Sequence, residues 1–311
     1  MAPRSPVERR DVSGVLLLDK PQGLSSNQAL QAVKRIFRAR KAGHTGSLDP
    51  LATGLLPICL GEATKVSAYL LEADKHYQAS AQLGVRTDSA DSQGHVIARR
   101  AVPAFDAASL EAAMVSLRGE IEQVPPMYSA LKHEGRRLYE LARAGVEVER
   151  KARRVRIERF ELLHRADDNL DFDIRCSSGT YVRTLIDDLG EALGCGAHVT
   201  ALRRLGVSPF DAPQMYTLEQ LRERAEAGSE ALDATLLAVD AALTRWPQVR
   251  LGADASHYLG QGQAIWVPHA PVSGLVRLYN DAEDRFLGIG EILDDGRVSP
   301  KRLMRWALTG N

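Results

Sequence analysis

The chain has no run approaching the roughly 20 apolar residues that a membrane-spanning helix needs, so no membrane partner is expected. Cysteine is scarce. Cys59, Cys176 and Cys195 are the three among 311 residues, an odd and scattered set that does not read as a disulfide framework. Reduced thiols in a cytoplasmic protein are the expectation. The stretch Met1–Ser13 is polar and lacks the apolar core of a secretory signal. Net charge is also missing: 40 basic residues balance 40 acidic ones, which taken alone argues against a nucleic-acid partner. Cofactor signatures are incomplete. Gly260-Gln261-Gly262 meets Ile265, and Gly288-Ile289-Gly290 meets Leu293, where a dinucleotide fingerprint requires its third glycine. No Gly-x4-Gly-Lys phosphate loop occurs. Cys195 and His198 have a metal-ligand spacing without a second pair, so a turn at a helix end is the better reading. His44, Ser47 and Asp49 do not make a hydrolase triad, because no Gly-x-Ser-x-Gly elbow surrounds the serine. No cofactor and no metal are expected.

What is present is uneven charge. Lys34, Arg35, Arg38, Arg40 and Lys41 fall together with no acid among them, and a second basic cluster runs from Arg150 to Arg159, interrupted by Glu158. Acids gather between Asp211 and Asp240. A neutral sum can hide a positive face and a negative back. Apolar residues make up 44% and charged residues 26% of the chain, enough to bury a sizeable core.

The apolar run Val15–Leu18 ending in Pro21-Gln22-Gly23 reads as a buried strand entering a loop. Ser25 or Ser26 then caps a helix whose Ala29, Leu30, Val33, Ile36 and Phe37 recur at helical spacing. That spacing puts Lys34, Arg38 and Lys41 on one helix flank, where they could follow a phosphate backbone or simply face water. Tyr77–Val85 reads as a strand and Asp106–Arg118 as a helix. Leu170, Phe172, Ile174 and Cys176 alternate with outward acids and Arg175 in another strand. Thr180–Leu193 reads as a helix, and an acidic helical stretch runs from Thr217 to about Leu243. Short glycine-rich, strand-like runs follow a junction at Pro247. Strands and helices mix without a βαβ rhythm, so the fold class is α+β. The domain expectation is 1–247 for a large domain and 248–311 for a small β-rich one, with no self-association.

The residues that carry chemistry lie in GHTGSLDPLATG, Gly43–Gly54. Asp49 is its single acid. An aspartate before proline in a glycine-rich loop is commonly a turn residue. Here Gly43, Gly46 and Gly54 allow backbone shapes and close approach that other residues forbid, and Pro50 restricts Asp49 to extended geometry. Such a loop can hold one carboxylate in fixed orientation while another molecule's backbone comes near. His44 adds a planar side chain.

The block GHTGSLDPLATGLLPICLGEAT closely resembles the signature loop of the TruB-type tRNA pseudouridine synthases. LLLDKPQGLSS (Leu16–Ser26), DKHYQASAQLGVRTDSADSQG (Asp74–Gly94) and CSSGTYVRTLIDDLGEALGCGAHVTALRRL (Cys176–Leu205) resemble further blocks of that family, in its order and spacing. The C-terminal segment more weakly resembles the small RNA-binding PUA-like domain of the bacterial members. The resemblance implies a mixed, mainly antiparallel central sheet flanked by helices. It implies isomerisation of uridine to pseudouridine at nucleotide 55 in the T arm of tRNA, with no protein partner required. Asp49 matches the catalytic aspartate, attacking C1′ of the sugar or C6 of the base. Arg183 matches the arginine paired with it, expected to keep the carboxylate ionised by lowering its pKa. Tyr77 matches the tyrosine that stacks on a flipped-out base, and Tyr181 a second active-site tyrosine serving proton transfer at C5. His44 matches the residue that enters the space the base leaves, and Leu202 an apolar wall of the uracil pocket. Lys20 is placed near the site, supporting the loop or a phosphate; Arg203 and Arg204 touch RNA or brace the fold. Lys34, Arg38 and Lys41 would position the RNA backbone. The competing expectations are a synthase for another RNA and an RNA-folding module in which catalysis is secondary.

Overall fold

The computed structural model describes residues 8–308; the expected polar stretch at the start of the chain lies outside it as far as residue 7, as do residues 309–311. The chain runs β1 (Gly14–Lys20), α1 (Ser26–Ile36), β2 (Ala42–His44), β3 (Thr53–Leu60), α2 (Ser67–Leu71), β4 (Lys75–Leu83), β5 (Val85–Thr87), β6 (Val96–Arg99), α3 (Ala107–Val115) and β7 (Gly119–Gln123). A small hairpin, β8 (Lys132–His133) and β9 (Arg136–Arg137), leads into α4 (Leu138–Arg143). Then follow β10 (Arg153–Ala166), β11 (Asn169–Cys176), α5 (Val182–Ala192), β12 (Ala197–Val207), α6 (Leu218–Glu226) and α7 (Ser229–Asp233). The C-terminal part holds β13 (Gln248–Leu251), α8 (Ala253–Gly260), β14 (Gly274–Asn280), β15 (Arg285–Ile292), β16 (Val298–Leu303) and α9 (Arg305–Leu308).

The α+β class holds. An eight-stranded sheet has the order β1-β3-β12-β4-β11-β10-β7, with β2 also on β3. Its pairings are antiparallel except β12 on β3. One face carries Leu16, Leu18, Ile58, Ala79, Phe172, Ile174 and Leu202 against the apolar sides of α1, α3, α5 and α6. Behind β1 and β3, Val15, Leu17, Leu55 and Cys59 pack instead against Tyr279, Phe286, Ile289 and Met304 of the C-terminal part. That part is a four-stranded sheet, β13-β14-β15-β16, with a second small core of its own around Val276, Leu278 and Val298.

Several boundaries differ from the sequence expectation, each for a local reason. Helix α1 begins with a capping box between Ser25 and Gln28, and stops at Ile36 because Phe37 caps it and Arg38 turns left-handed at φ 49°. Lys34 is therefore on the helix, whereas Arg38 and Lys41 lie beyond it; the three do not share a helix flank. The strand expected over Tyr77–Val85 starts earlier and breaks at Gly84, whose φ is +80°. The acidic stretch after Thr217 is not one helix: Gly228, at φ 121°, separates α6 from α7, and a 3-10 turn at Val239–Leu243 ends it. In β11, Asp173 faces outward by alternation but is covered, 7% exposed, between His76 at 2.8 Å and Arg159 at 3.2 Å.

Candidate active site

The site opens where the sheet splits. Along one edge of β3, β12 pairs with Thr53 and Gly54, while β2 pairs with Ile58, Cys59 and Leu60. Between them this edge of β3 has no strand partner, while the other edge stays paired with β1. Arg204, 1% exposed, fills the gap: its Nε donates to Leu55 O at 2.7 Å and its Nη2 to Gly46 O at 3.0 Å. Thr45 N–H reaches Pro57 O at 3.1 Å, and Pro57 has no N–H of its own to leave unpaired there. Of the three loop glycines, Gly46 and Gly54 have φ of +77° and +95°, and a side chain at Gly54 would meet the Arg204 backbone. Gly43 differs from the expectation: its φ is ordinary and the space beside it is open, because it is simply a residue of β2.

Asp49 is held from both flanks. Ser26, at the start of α1, accepts Leu48 N–H at 2.7 Å and donates to Leu48 O at 3.0 Å. Gly23 N–H binds Pro50 O at 2.8 Å, and Ala52 N–H binds Asp49 O at 3.1 Å. Arg183 comes from the first turn of α5, 3% exposed, and its Nε lies 2.9 Å from Asp49 Oδ2. Its other nitrogens are spent on carbonyls, Nη1 on Ser89 O at 2.6 Å and Nη2 on Tyr128 O at 2.7 Å. The guanidinium cannot turn without breaking those bonds. A second carboxylate, Asp91, stands 3.8 Å from the same Nε and is itself bound by Ser89 Oγ at 2.7 Å and Gln93 N–H at 3.0 Å.

The Asp49 side chain is 40% exposed and yet deeply set in the protein. Both hold for a carboxyl that meets solvent on one side while dense protein surrounds the rest of it. Burial pushes its carboxyl above the ordinary value of 3.8; the Arg183 charge opposes this, Asp91 adds to it, and the Arg183 hydrogen bond and Lys20 oppose it. The expected net lowering by Arg183 is thus reversed in the free enzyme, because desolvation outweighs the cation. Burial likewise raises the Tyr77 phenol, with Arg204 pulling the other way, so Tyr77 stays neutral beside the acid.

The other expected residues spread outward from this pair. Tyr77 on β4 is 8% exposed and pairs in register with Arg204. Leu202, also 8% exposed, lies on β12 opposite Ala79, on the same sheet face as Tyr77. His44 ends β2, half-buried; burial, Arg204 and Arg137 hold its pKa below 6.5, and its Nδ1 is buried without a hydrogen-bond partner. Lys20 is fully covered, with Nζ donating to Pro21 O at 2.9 Å and Leu24 O at 2.7 Å, and burial lowers it to about 8. Tyr181 precedes α5, with the Arg153 guanidinium 4.8 Å from its ring centroid. Arg203 faces away and forms two bonds to Asp19, at 3.0 and 2.8 Å. Arg38 and Lys41 are exposed and Lys34 half-buried, outside this cluster. A separate concavity lined by Gln78, Ser80, Asp171 and Arg203 touches Leu51 and Leu202 but holds none of Asp49, Tyr77 and Arg183; alternation along β4 puts Gln78 and Ser80 opposite Tyr77.

Sequence reading missed Ser26 as a clamp, Asp91 as a second acid, and the full burial of Arg204. Asp91 lies within the DSADSQG motif, and its order next to Ser89 was the available signal.

Asp49 and the fixed Arg183 cation thus form a partly solvent-facing acid–cation pair, and no cluster of metal ligands is present among the described residues. A solved Cbf5-Nop10-Gar1 complex contains a chain that aligns over 93% of this one and 84% of its own length, with a TM-score of 0.73 and 26% identity. Family models described as the N-terminal domain of TruB family pseudouridylate synthases, the tRNA pseudouridylate synthase B C-terminal domain, and the C-terminal domain of pseudouridine synthase II TruB match residues 34–182, 183–244 and 247–304. The tRNA pseudouridine synthase B of Coxiella burnetii (strain RSA 493 / Nine Mile phase I) is 54% identical over 298 residues, covering 96% of both chains. That of Stutzerimonas stutzeri (strain A1501) is 55% identical, covering 96% of this chain and 97% of its own. The fold and site define a pseudouridine synthase, an isomerase. The chain belongs to the TruB family of pseudouridylate synthases.

Proposed function

We propose that this tRNA pseudouridine synthase isomerises the uridine at nucleotide 55 in the T arm, with Asp49 as its nucleophile. The observation that carries the assignment of roles is the 2.9 Å contact of a partly solvent-exposed Asp49 with an immobilised Arg183. The reaction breaks the C1′–N1 bond and makes a C1′–C5 bond. C5 loses a proton and N1 gains one, so no atom is exchanged and no cofactor is called for. The ionised Asp49 attacks C1′ and expels uracil, or adds to C6 of the base; either way the freed ring is retained, turned and rejoined.

The substrate base must leave its stack, at a cost of a few kcal/mol. In this reading Tyr77 stacks on the flipped ring, which is worth roughly 1–3 kcal/mol, and Leu202 walls the uracil. The neutral Tyr77 phenol suits contact with a neutral base. His44, neutral and with a free Nδ1, enters the space left in the RNA loop. Tyr181 serves the proton transfer at C5. Lys20 supports the Pro21–Leu24 turn, which in turn holds Pro50. Lys34, Arg38 and Lys41 meet phosphates of the T arm. Residues 248–311 act as a PUA-like RNA-binding domain, and the enzyme works as a cytoplasmic monomer without a protein partner.

The test is incubation with an unmodified T-arm stem-loop and mapping of pseudouridine at every uridine. Modification at position 55, lost in Asp49→Asn with RNA binding kept, is the expected result. Modification at a different uridine overturns the position, and an unimpaired Asp49→Asn overturns the nucleophile. A chaperone-like role is separated by the same variant, since RNA folding does not need the carboxylate.

A further inference from the structure

Gln123 is the last residue of β7 and is 1% exposed. Its Oε1 accepts the N–H of Tyr181 at 2.7 Å, and its Nε2 donates to the C=O of the same residue at 3.1 Å. One planar amide therefore holds both backbone groups of Tyr181. That residue lies between β11 and α5, outside any strand pairing, and its side chain makes no capping bond to the helix. The ring is held separately. Arg153, which faces Gln123 in the β10–β7 register, places its guanidinium over the Tyr181 ring at 4.8 Å and donates through Nη2 to Gly179 O. Arg153 Nε is buried with no hydrogen-bond partner, so contact with the ring is what the cation gains on that side.

We infer that Gln123 and Arg153 are positioning residues that set the backbone and ring of Tyr181 for isomerisation. This rests on the reading of Tyr181 as an active-site residue. The two act as a pair, because they are opposite each other on adjacent strands and grip the same residue from two directions. The hold extends to the acid–cation pair: Tyr181 is two residues before Arg183 on the chain entering α5. The segment that leaves the sheet at Gln123 and returns at Arg153 also supplies Tyr128 O, which accepts from Arg183. Burial of a side-chain amide without partners is costly, and Gln123 spends both its polar ends on one residue rather than on its own sheet.

The experiment compares Gln123→Met, which keeps length but removes both hydrogen bonds, with Gln123→Glu, which keeps the acceptor alone, and Arg153→Lys, which keeps charge but loses the planar face. Single-turnover rate at saturating T-arm stem-loop, Kd for the same RNA, and Tm are measured for each, in wild type and in a Tyr181→Phe background. Gln123→Met is expected to slow the chemical step by about tenfold or more while Kd stays within about twofold. Gln123→Glu is expected to fall between it and wild type. In the Tyr181→Phe background the further loss should largely vanish, since one residue acts through the other. A wild-type rate for Gln123→Met overturns the inference, and so does an equal loss in both backgrounds. If Tyr181→Phe and Tyr181→Leu both run at the wild-type rate, the reading of Tyr181 falls instead. Should Gln123→Met not fold, Gln123→Glu and Arg153→Lys decide by the same rates: slowed turnover at unchanged Tm supports positioning, and full turnover refutes it.

Discussion

A methyl group added to Gly54 tests whether the split in the sheet builds the site. Gly54 has φ +95°, and a Cβ there would lie 2.2 Å from Arg204 O, 2.9 Å from Arg204 N and 3.0 Å from Arg204 C. All three are backbone atoms of a paired strand, so no rotamer change can relieve the overlap; β12 must move by about 1 Å to restore ordinary contact. The left-handed conformation costs an L-residue about 1–2 kcal/mol. Forced overpacking adds about 1–3 kcal/mol, for a total of about 2–5 kcal/mol. In a chain of this length that lowers Tm by roughly 10 °C. Catalysis should suffer beyond stability, because the displaced Arg204 also holds Leu55 O and Gly46 O, and so the loop bearing Asp49. A displacement of that size costs about a hundredfold in rate. Gly43→Ala is the control: nothing lies within 4 Å of its Cβ position and its φ is not left-handed, so its effect should stay within about 0.5 kcal/mol. Urea unfolding and single-turnover rates on a T-arm stem-loop measure both. A Gly54→Ala protein as stable and as fast as wild type, or a Gly43→Ala protein equally damaged, refutes the reasoning.

With Asp49 as the proposed ionised nucleophile, the acid limb of the pH–rate profile should lie above the ordinary carboxylate value of 3.8, activity being lost as pH falls through a raised pKa. Asp91→Asn removes a charge that raises it and should move the limb to lower pH; Arg183→Met should move it higher, and shifts of opposite sign would refute the assignment of causes. Lys75 is 8% exposed and lowered from 10.5 to about 8, mainly by burial. Between those values the unfolded chain binds a proton that the folded one does not, so stability gains up to about 3 kcal/mol as pH rises through that window. Urea midpoints of wild type relative to Lys75→Met, followed from pH 7 to about 10, should show that gain. Affinity for the T-arm hairpin should fall steeply with salt. Replacing Lys34, Arg38 and Lys41 by Gln should reduce the log–log slope by about one for each phosphate no longer neutralised; a flat salt dependence contradicts phosphate binding by these residues.

Local order was legible where one residue type decides it. A helix cap at Ser25 or Ser26, the alternation of Leu170, Phe172, Ile174 and Cys176, and a helix within Thr180–Leu193 each follow from neighbours in sequence, and each is present. Endings were less legible. The helical pattern of α1 continues through Phe37, but Phe37 is fully buried as a cap and Arg38 turns left-handed to pair with Arg10, a contact made far back in the chain. The pairing of Asp49 with Arg183 was legible in the motifs, while the groups that support it were not. Ser26 and Arg204 bind backbone carbonyls and N–H groups, and a backbone group has the same identity at every position. Nothing in the sequence tells which carbonyl an arginine will meet. Asp91 reaches Asp49 only through Arg183, from a different loop, so no spacing could join the two acids.

On the proposal that Asp49 is the nucleophile, its raised pKa has to be weighed with the side of its carboxyl that faces solvent. In the free enzyme, solvent on that side partly compensates the burial that disfavours the charge. A base docking over the carboxylate replaces this water, which strengthens both the desolvation and the attraction of Arg183. The outcome then depends on whether the guanidinium can follow the solvent or stays with the acid. Bonds to Ser89 O and Tyr128 O hold it in place. The cation therefore needs no reorganisation when a substrate arrives, and its effect on Asp49 grows as water is displaced from the carboxyl. Asp91 approaches the same nitrogen of that arginine and raises Asp49. Two acids thus share a single fixed cation, and removing either Asp91 or Arg183 changes how strongly that cation favours the charged form of Asp49.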